Sequence, residues 1–176
     1  MSNFVPFAHA KSLYEIDPDF FKSNGVTTLL VDLDNTLDSY KRHTPSDEAK
    51  VLIQKLKDVG LTICIISNNR YKRVLAYADE LDIDFLSSCK KPCTKKIKKY
   101  LAISCLDNEE VMIVGDQLMT DTLAGNRAKI RVVLTEKIVK EDQPTTRFNR
   151  LLDRPIRKRL RKKGLLIDWK DKYGSR

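Results

Sequence analysis

Continuous apolar runs separated by helical patterns constrain this chain more than any other feature. Thr27 to Val31 (TTLLV), Leu61 to Ile66 (LTICII), Val111 to Val114 (VMIV) and Arg131 to Leu134 lack the alternation of a half-exposed strand. Each therefore suits a strand covered on both faces. Between the first two runs, Ser46 can cap a helix that continues to Asp58 and stops at Gly60. Arg70 to Leu81 places Val74, Leu75, Ala78 and Leu81 on one helical face. A short strand at Asp84 to Leu86 leads to Pro92 and a helix ending near Ile103, and Thr120 to Ala128 reads as a further helix. Strands and helices alternating with short connections predict an α/β fold: a Rossmann-like, mostly parallel sheet with helices on both faces. With no internal repeat or low-complexity linker, residues 1–176 read as a single domain. Its core spans about 25–137, preceded by an N-terminal approach and followed by a basic C-terminal segment, 138–176.

The 41% of hydrophobic residues is enough for one well-buried core. Subtracting 24 Asp+Glu from 33 Lys+Arg leaves +9, a balance that favours an anionic partner. Cys64 lies in an apolar run, and Cys89 and Cys93 have no histidine nearby, so the four cysteines read as reduced thiols rather than a zinc site. No apolar stretch approaches the ~20 residues that span a bilayer. The N-terminus lacks the basic start and apolar core of a signal peptide. The expected location is cytoplasmic, with any membrane contact peripheral.

In parallel α/β sheets, ligands bind beyond the carboxyl ends of the strands. The residues that follow the apolar runs here are chemically unusual. They are Asp32-Leu33-Asp34-Asn35-Thr36, Ser67-Asn68-Asn69, Lys90-Lys91-Pro92, and Gly115-Asp116 through Asp121. Asp32, Asp34, Asp116 and Asp121 make a carboxylate cluster, and close carboxylates repel unless a cation neutralises them. Oxygen-only donors select a hard ion such as magnesium. Ser67, the amides after it and Lys91 offer donors and positive charge suited to a phosphoryl group. A lone Asp after a strand is ordinarily a turn former or helix cap, and Asp38, Asp58 and Asp84 are read that way. Phosphate-compatible groups at successive strand ends call for a chemical explanation.

These motifs resemble the haloacid dehalogenase (HAD) superfamily of phosphohydrolases. Its aspartate-x-aspartate-x-threonine motif is matched by Asp32-Leu33-Asp34-Asn35-Thr36-Leu37, its Ser/Thr motif by Ser67, its lysine by Lys91, and its Gly-Asp-x(4)-Asp motif by Gly115-Asp116 through Asp121. The match covers about residues 27 to 135. The same residues, with Asn68-Asn69 and Asn126-Arg127, are similar to the YqeG-type branch, subfamily IIIA, and to the phosphatidylglycerophosphate phosphatases of mitochondria. The resemblance implies that Asp32 is the nucleophile and Asp34 the general acid and then base. It further implies that Asp32, the Asp34 backbone carbonyl and Asp116 hold Mg²⁺, and that Asp121 orients that shell. Ser67 and Lys91 would bind the transferring phosphoryl oxygens, with Asn35, Thr36, Asn68 and Asn69 as supports.

Only 29 residues separate Leu37 from Ser67, and 23 separate Ser67 from Lys91. Neither gap holds an independently folding cap domain, which needs ~50 residues. An open site suits a phosphate carried on something large: a lipid, a protein or a nucleic-acid end. Arg147 to Lys163 carries nine basic residues and one acid, Asp153. Asp153 is expected to cap a helix with Pro155 in its first turn, Ile156 and Leu160 a turn apart, and Gly164 as its stop. This helix could pack Ile156 and Leu160 on the domain, or meet an anionic membrane. Nucleic acid is the less favoured partner, since no aromatic residue interleaves the segment. The function read from the chain is thus Mg²⁺-dependent phosphomonoester hydrolysis through an aspartyl-phosphate. The alternatives are a phosphatase acting on protein or nucleotide phosphate, and an RNA- or ribosome-associated binding protein.

Overall fold

The computed structural model describes residues 2–139 and 144–174, with residue 2 and residues 144–150 described as backbone alone. Six strands form one sheet: β1 (Ala8–Ala10), β2 (Thr28–Val31), β3 (Thr62–Ile66), β4 (Asp84–Leu86), β5 (Val111–Gly115) and β6 (Arg131–Thr135). Their order is β1-β6-β5-β2-β3-β4, and every neighbouring pair is parallel. Among the described residues six α-helices accompany them: α1 (Pro18–Ser23), α2 (Asp47–Asp58), α3 (Tyr71–Leu81), α4 (Lys95–Ile103), α5 (Leu123–Ala128) and α6 (Pro144–Lys162).

The apolar runs are continuous because alternate residues serve two different layers. Leu29, Val31, Ile63, Ile65, Met112 and Val114 face α1, α2 and α3, where Phe20, Leu56, Val74 and Tyr77 close the layer. Leu30, Cys64, Ile66, Val111 and Ile113 face α4 and α5, against Ile97, Leu101, Ala124 and Ala128. Each fully buried large aliphatic side chain contributes about 1.5–3 kcal/mol, so the two layers fix the strand register. A one-residue slip would exchange their contents.

Local signals set most boundaries. The Ser46 hydroxyl accepts the Ala49 N–H at 3.1 Å and starts α2, and Gly60, at φ +82°, takes the left-handed turn that ends it. On α3, Tyr77 is buried and Leu75 only half-buried, a small rotation of the expected face. No cap domain is inserted. One loop and α2 separate β2 from β3, and α3 with β4 separates β3 from the Lys91 segment.

Three differences from the sequence reading concern the flanks. The N-terminal approach contains β1, which extends the sheet beside β6; its three residues, Ala-His-Ala, carry no apolar run to announce it. The helix expected from Thr120 starts earlier, as a π-helical turn Leu118–Thr122 leading into α5. In the C-terminal segment, Asp153 does not cap a helix: α6 begins at Pro144 and carries both Asp153 and Pro155 in its interior. Leu160 is fully buried and Ile156 packs beside it on Leu118 and Leu134, so these two side chains serve the domain and not an outer surface. Among the described side chains of α6, the exposed large apolar residues are Leu151 and Leu152. Among the described residues, no helix is long and apolar enough to cross a membrane.

Candidate active site

Strands β2, β3 and β5 lie side by side, so their carboxyl ends bring Asp32, Ser67 and Asp116 to one place. Asp32 continues the ladder, its N–H bonded to the Val114 carbonyl at 2.9 Å. Lys91 arrives from the segment after β4 and is buried beneath them. Its ammonium donates to Asp32 Oδ1 at 2.6 Å, to Asp121 Oδ1 at 2.6 Å and to the Ile66 carbonyl at 2.9 Å. All three of its protons are thereby used. Asn68 grips the backbone of the same residue, accepting the Lys91 N–H at 2.7 Å and donating to the Lys91 carbonyl at 3.2 Å. Lys90 is exposed, and it is Lys91 that points inward.

Asp116 and Asp121 are both fully buried. Asp121 is locked from several sides: its second oxygen accepts the Gln117 N–H at 3.1 Å and the Thr120 hydroxyl at 3.2 Å. Gly115 is required by this packing, since a Cβ there would sit 2.4 Å from the Asp121 carboxyl carbon. One carboxylate oxygen each from Asp32, Asp116 and Asp121 lies within 4.8 Å of the others. Three carboxyl groups thus meet in a buried space, two of them bonded to the Lys91 ammonium. Burial pushes the Asp32 carboxyl well above the ordinary carboxylate range; Lys91 pulls it down, and the Asp121 and Asp116 charges push it up again. Burial works against the Lys91 ammonium, yet the Asp121 and Asp32 carboxylates outweigh it and raise its pKa. An all-oxygen set of clustered carboxyl groups fits a hard divalent cation.

Asp34, two residues beyond Asp32, points away from this cluster. Its carboxylate meets Arg73 Nη2 at 2.7 Å and the Asn69 amide. Asn69 is itself braced by its N–H to the Ser67 hydroxyl at 3.1 Å. Ser67, buried beside the cluster, has its backbone fixed by Leu86 and Cys89. Asn35 adopts φ +68° and Thr36 is buried, so both shape the turn between the two aspartates and Asp38. Asp38 behaves as a turn former, accepting the Ser39 and Ser46 N–H groups at 2.8 Å each.

The structure thus gathers Asp32, Ser67, Lys91, Asp116 and Asp121 and sets Asp34 on the outer rim. It also brings Asp121 into the set of carboxylates that could hold a metal. Three contributors carry no sequence signal of their own. Arg73 is one of many basic residues on helical surfaces. Asp153 and Arg157 belong to the C-terminal segment, yet Asp153 accepts the Leu118 and Met119 N–H groups at 2.9 and 3.1 Å. Arg157 donates to the Asp116 carbonyl at 2.5 Å and the Thr135 carbonyl at 3.1 Å, and pairs with Glu136 at 3.1 Å. The helix α6 is therefore tied directly to the loop that carries Asp116. The side chains of Arg147 and Arg150 lie outside the described residues.

Residues 1–139 match the family model described as mitochondrial PGP phosphatase. A probable phosphatase, YqeG of Bacillus subtilis (strain 168), is 32% identical over 168 residues, covering 96% of this chain and 97% of that one. The chloroplastic/mitochondrial phosphatidylglycerophosphate phosphatase 1 of Arabidopsis thaliana is 29% identical over 174 residues, which span 92% of this chain but only 49% of the plant protein. An uncharacterized protein from Listeria monocytogenes serotype 4b shares the fold, with a TM-score of 0.54 at 20% identity over 68% of this chain and 85% of its own. So does the cobalt-bound deoxy-D-mannose-octulosonate 8-phosphate phosphatase of Haemophilus influenzae, at 0.50 and 12%, over 66% and 81%. With the Asp32, Ser67, Lys91 and Asp116–Asp121 arrangement of a haloacid dehalogenase-type site, the chain belongs to the mitochondrial PGP phosphatase family and is a phosphatase of the YqeG kind.

Proposed function

We propose that this phosphatase is Mg²⁺-dependent, works through an aspartyl-phosphate on Asp32, and takes phosphatidylglycerophosphate as its substrate. The observation that carries the reading is the pairing of two differently placed aspartates in one motif: Asp32 buried against Lys91, and Asp34 on the rim. Asp32, Asp116 and Asp121, with the Asp34 carbonyl, would hold the cation, which when bound neutralises phosphoryl and carboxylate charge. An Asp32 oxygen attacks phosphorus as the bond to the leaving oxygen breaks, and Asp34 hands its proton to that oxygen. Asp34 then takes a proton from water, whose oxygen attacks the same phosphorus and releases inorganic phosphate and the Asp32 carboxylate. Lys91 keeps Asp32 and Asp121 aligned throughout, and the Ser67 hydroxyl and following amides suit the phosphoryl oxygens.

The substrate follows from access and from kinship. With no cap domain, Asp32 can be reached past the Asp34 rim by a phosphate displayed on a surface. The family model and the Arabidopsis relative carry the name of that lipid. Docking would use the flank of α6 beside Glu136, where a groove of about 460 Å³ is lined by Arg154, Arg157, Lys158, Arg161, Lys162 and Glu136. Each Lys or Arg near an acidic bilayer contributes about 1 kcal/mol, and exposed Leu151 and Leu152 supply the apolar contact. Phosphate release from phosphatidylglycerophosphate in mixed micelles, compared with nucleotide, sugar and phosphopeptide esters, tests the reading. Release should be fastest from the lipid, stop on chelation and return with Mg²⁺. A preference for a nucleotide or phosphopeptide would overturn the substrate, and full activity after exhaustive chelation would overturn the metal.

A further inference from the structure

Arg73 occupies the first turn of α3, and its guanidinium is built into the rim of the site. Nη2 donates to Asp34 Oδ1 at 2.7 Å and to the Tyr40 carbonyl at 3.1 Å, while Nη1 donates to the Arg42 carbonyl. The group lies over the Tyr77 ring, 5.3 Å from its centroid, and the Tyr77 hydroxyl bonds the same Arg42 carbonyl at 3.2 Å. These contacts hold Arg73 in place and leave its side chain 19% exposed. A guanidinium has five N–H donors. Three are engaged by Asp34, Tyr40 and Arg42 and a fourth can reach the Tyr77 hydroxyl, which leaves at least one N–H without an acceptor among the described residues.

This placement matters because Asp34 serves the leaving group. Asn69 ties the other Asp34 oxygen toward Ser67, so Arg73 sits on the side of Asp34 turned from the Ser67 phosphoryl site, where the departing alcohol would lie. From the leaving oxygen to the Arg73 nitrogens is at most two hydrogen bonds and the width of a carboxyl group, about 8 Å. A three-carbon bridge spans a comparable distance. Arginine, with a planar fork of donors, suits a phosphate oxyanion there better than a lysine would. Arg42 and Arg70 add positive charge to the same rim, both exposed.

We propose that Arg73 is the specificity-determining residue of this phosphatase, binding a second phosphate carried a few bonds along the substrate's own alcohol. The enzyme then selects phosphomonoesters whose leaving group bears a phosphodiester over plain monoesters. The inference rests on the reading of Asp34 as the leaving-group acid. The same chemistry could come from a neighbouring lipid headgroup, so the test uses no bilayer.

Glycerophosphoglycerol phosphate, the water-soluble deacylated headgroup, is compared with glycerol phosphate. In the unaltered protein with Mg²⁺, kcat/KM should favour the former by about tenfold or more, mainly through KM, as expected for a charge-assisted hydrogen-bonded pair. Arg73→Gln also loosens Asp34 and slows both substrates, but that common loss cancels in the ratio, which should fall below about twofold. Arg73→Lys keeps a cation beside Asp34 and should recover kcat on both esters while restoring only part of the ratio. A folded Arg73→Gln protein that keeps the full preference overturns the proposal and leaves the phosphatase reading standing. So does an unaltered protein that hydrolyses both esters without preference. A protein that hydrolyses neither ester, nor the lipid, overturns the underlying reading as well.

Discussion

The two aspartates of the first motif are each paired with one cation, but in opposite surroundings. Asp32 meets Lys91 in the buried floor of the site, where the ammonium spends every proton on protein acceptors. Asp34 meets Arg73 on the rim, with a guanidinium that is partly exposed and keeps a donor to spare. A saturated buried pair can only hold its partners in place. An unsaturated pair at the surface can exchange a partner for substrate. On the proposed mechanism, one five-residue turn would supply both a fixed nucleophile and an acid that must address a variable alcohol. Environment, not residue type, divides the two roles.

The largest effect should come from the floor. Asp32→Asn should lower turnover by at least ~10³ with the circular-dichroism spectrum unchanged, since it removes the covalent route. Near-normal turnover in a folded Asp32→Asn protein would erase the distinction between floor and rim. Lys91→Met should be felt chiefly as stability. Stripping a buried pair of one partner costs about 3–5 kcal/mol, and Mg²⁺ should recover part of the lost melting temperature by neutralising Asp32 and Asp121. Arg73→Met, by contrast, removes three hydrogen bonds from a half-buried rim where Asp34 keeps Asn69 and gains solvent, and should cost less, about 1–3 kcal/mol. Equal losses for Lys91→Met and Arg73→Met in thermal denaturation would break the comparison.

The C-terminal helix sharpens it further. Asp153→Ala strands two N–H groups at the start of the Leu118–Thr122 turn, worth about 1–3 kcal/mol. It should also raise the Mg²⁺ concentration needed for half-maximal thermal stabilisation, because Asp116 precedes that turn and Asp121 lies within it. A weaker version of the same linkage runs through Glu136, held below the ordinary carboxylate value by the His9 hydrogen bond and then by Arg157 and Arg161, against the opposing effect of burial. A carboxyl group with a depressed folded-state pKa stabilises fully above its unfolded value, 4.5, and loses that contribution as pH falls through the folded value. Glu136→Gln should therefore lower the melting temperature modestly near neutrality, by about 1 kcal/mol or less for so exposed a pair. The deficit should vanish well below pH 4.5. A deficit that grew on acidification would contradict the assignment.

The floor was legible in the sequence because its residues follow apolar runs. A buried parallel strand ends where the ligand site begins, so Asp32, Ser67 and Asp116 announce themselves by position. Gly115 and Asp121 share a close packing that leaves a fixed spacing. The rim was not legible, since Arg73 is one cation among 33 Lys+Arg and is recruited only by the path of the loop through Tyr40 and Arg42. The C-terminal segment misled for a related reason. Asp153 before Pro155 looks like a cap, but its carboxylate caps a different turn, 34 to 35 residues away in sequence. Strand β1 was hidden by its brevity, with three residues held mainly by β6 and by Ile167, whose carbonyl accepts the His9 N–H at 2.7 Å.

The account stands or falls on the bond between Asp32 and phosphorus. Acid-quenching the enzyme during turnover of phosphatidylglycerophosphate with Mg²⁺, reducing it with borohydride and sequencing the peptides by mass spectrometry would locate any acyl-phosphate, which borohydride converts to homoserine. The account predicts homoserine at position 32 alone, formed only when substrate and metal are both present, and none in Asp32→Asn. Homoserine at position 34, or steady phosphate release with no trapped adduct at position 32, would contradict it.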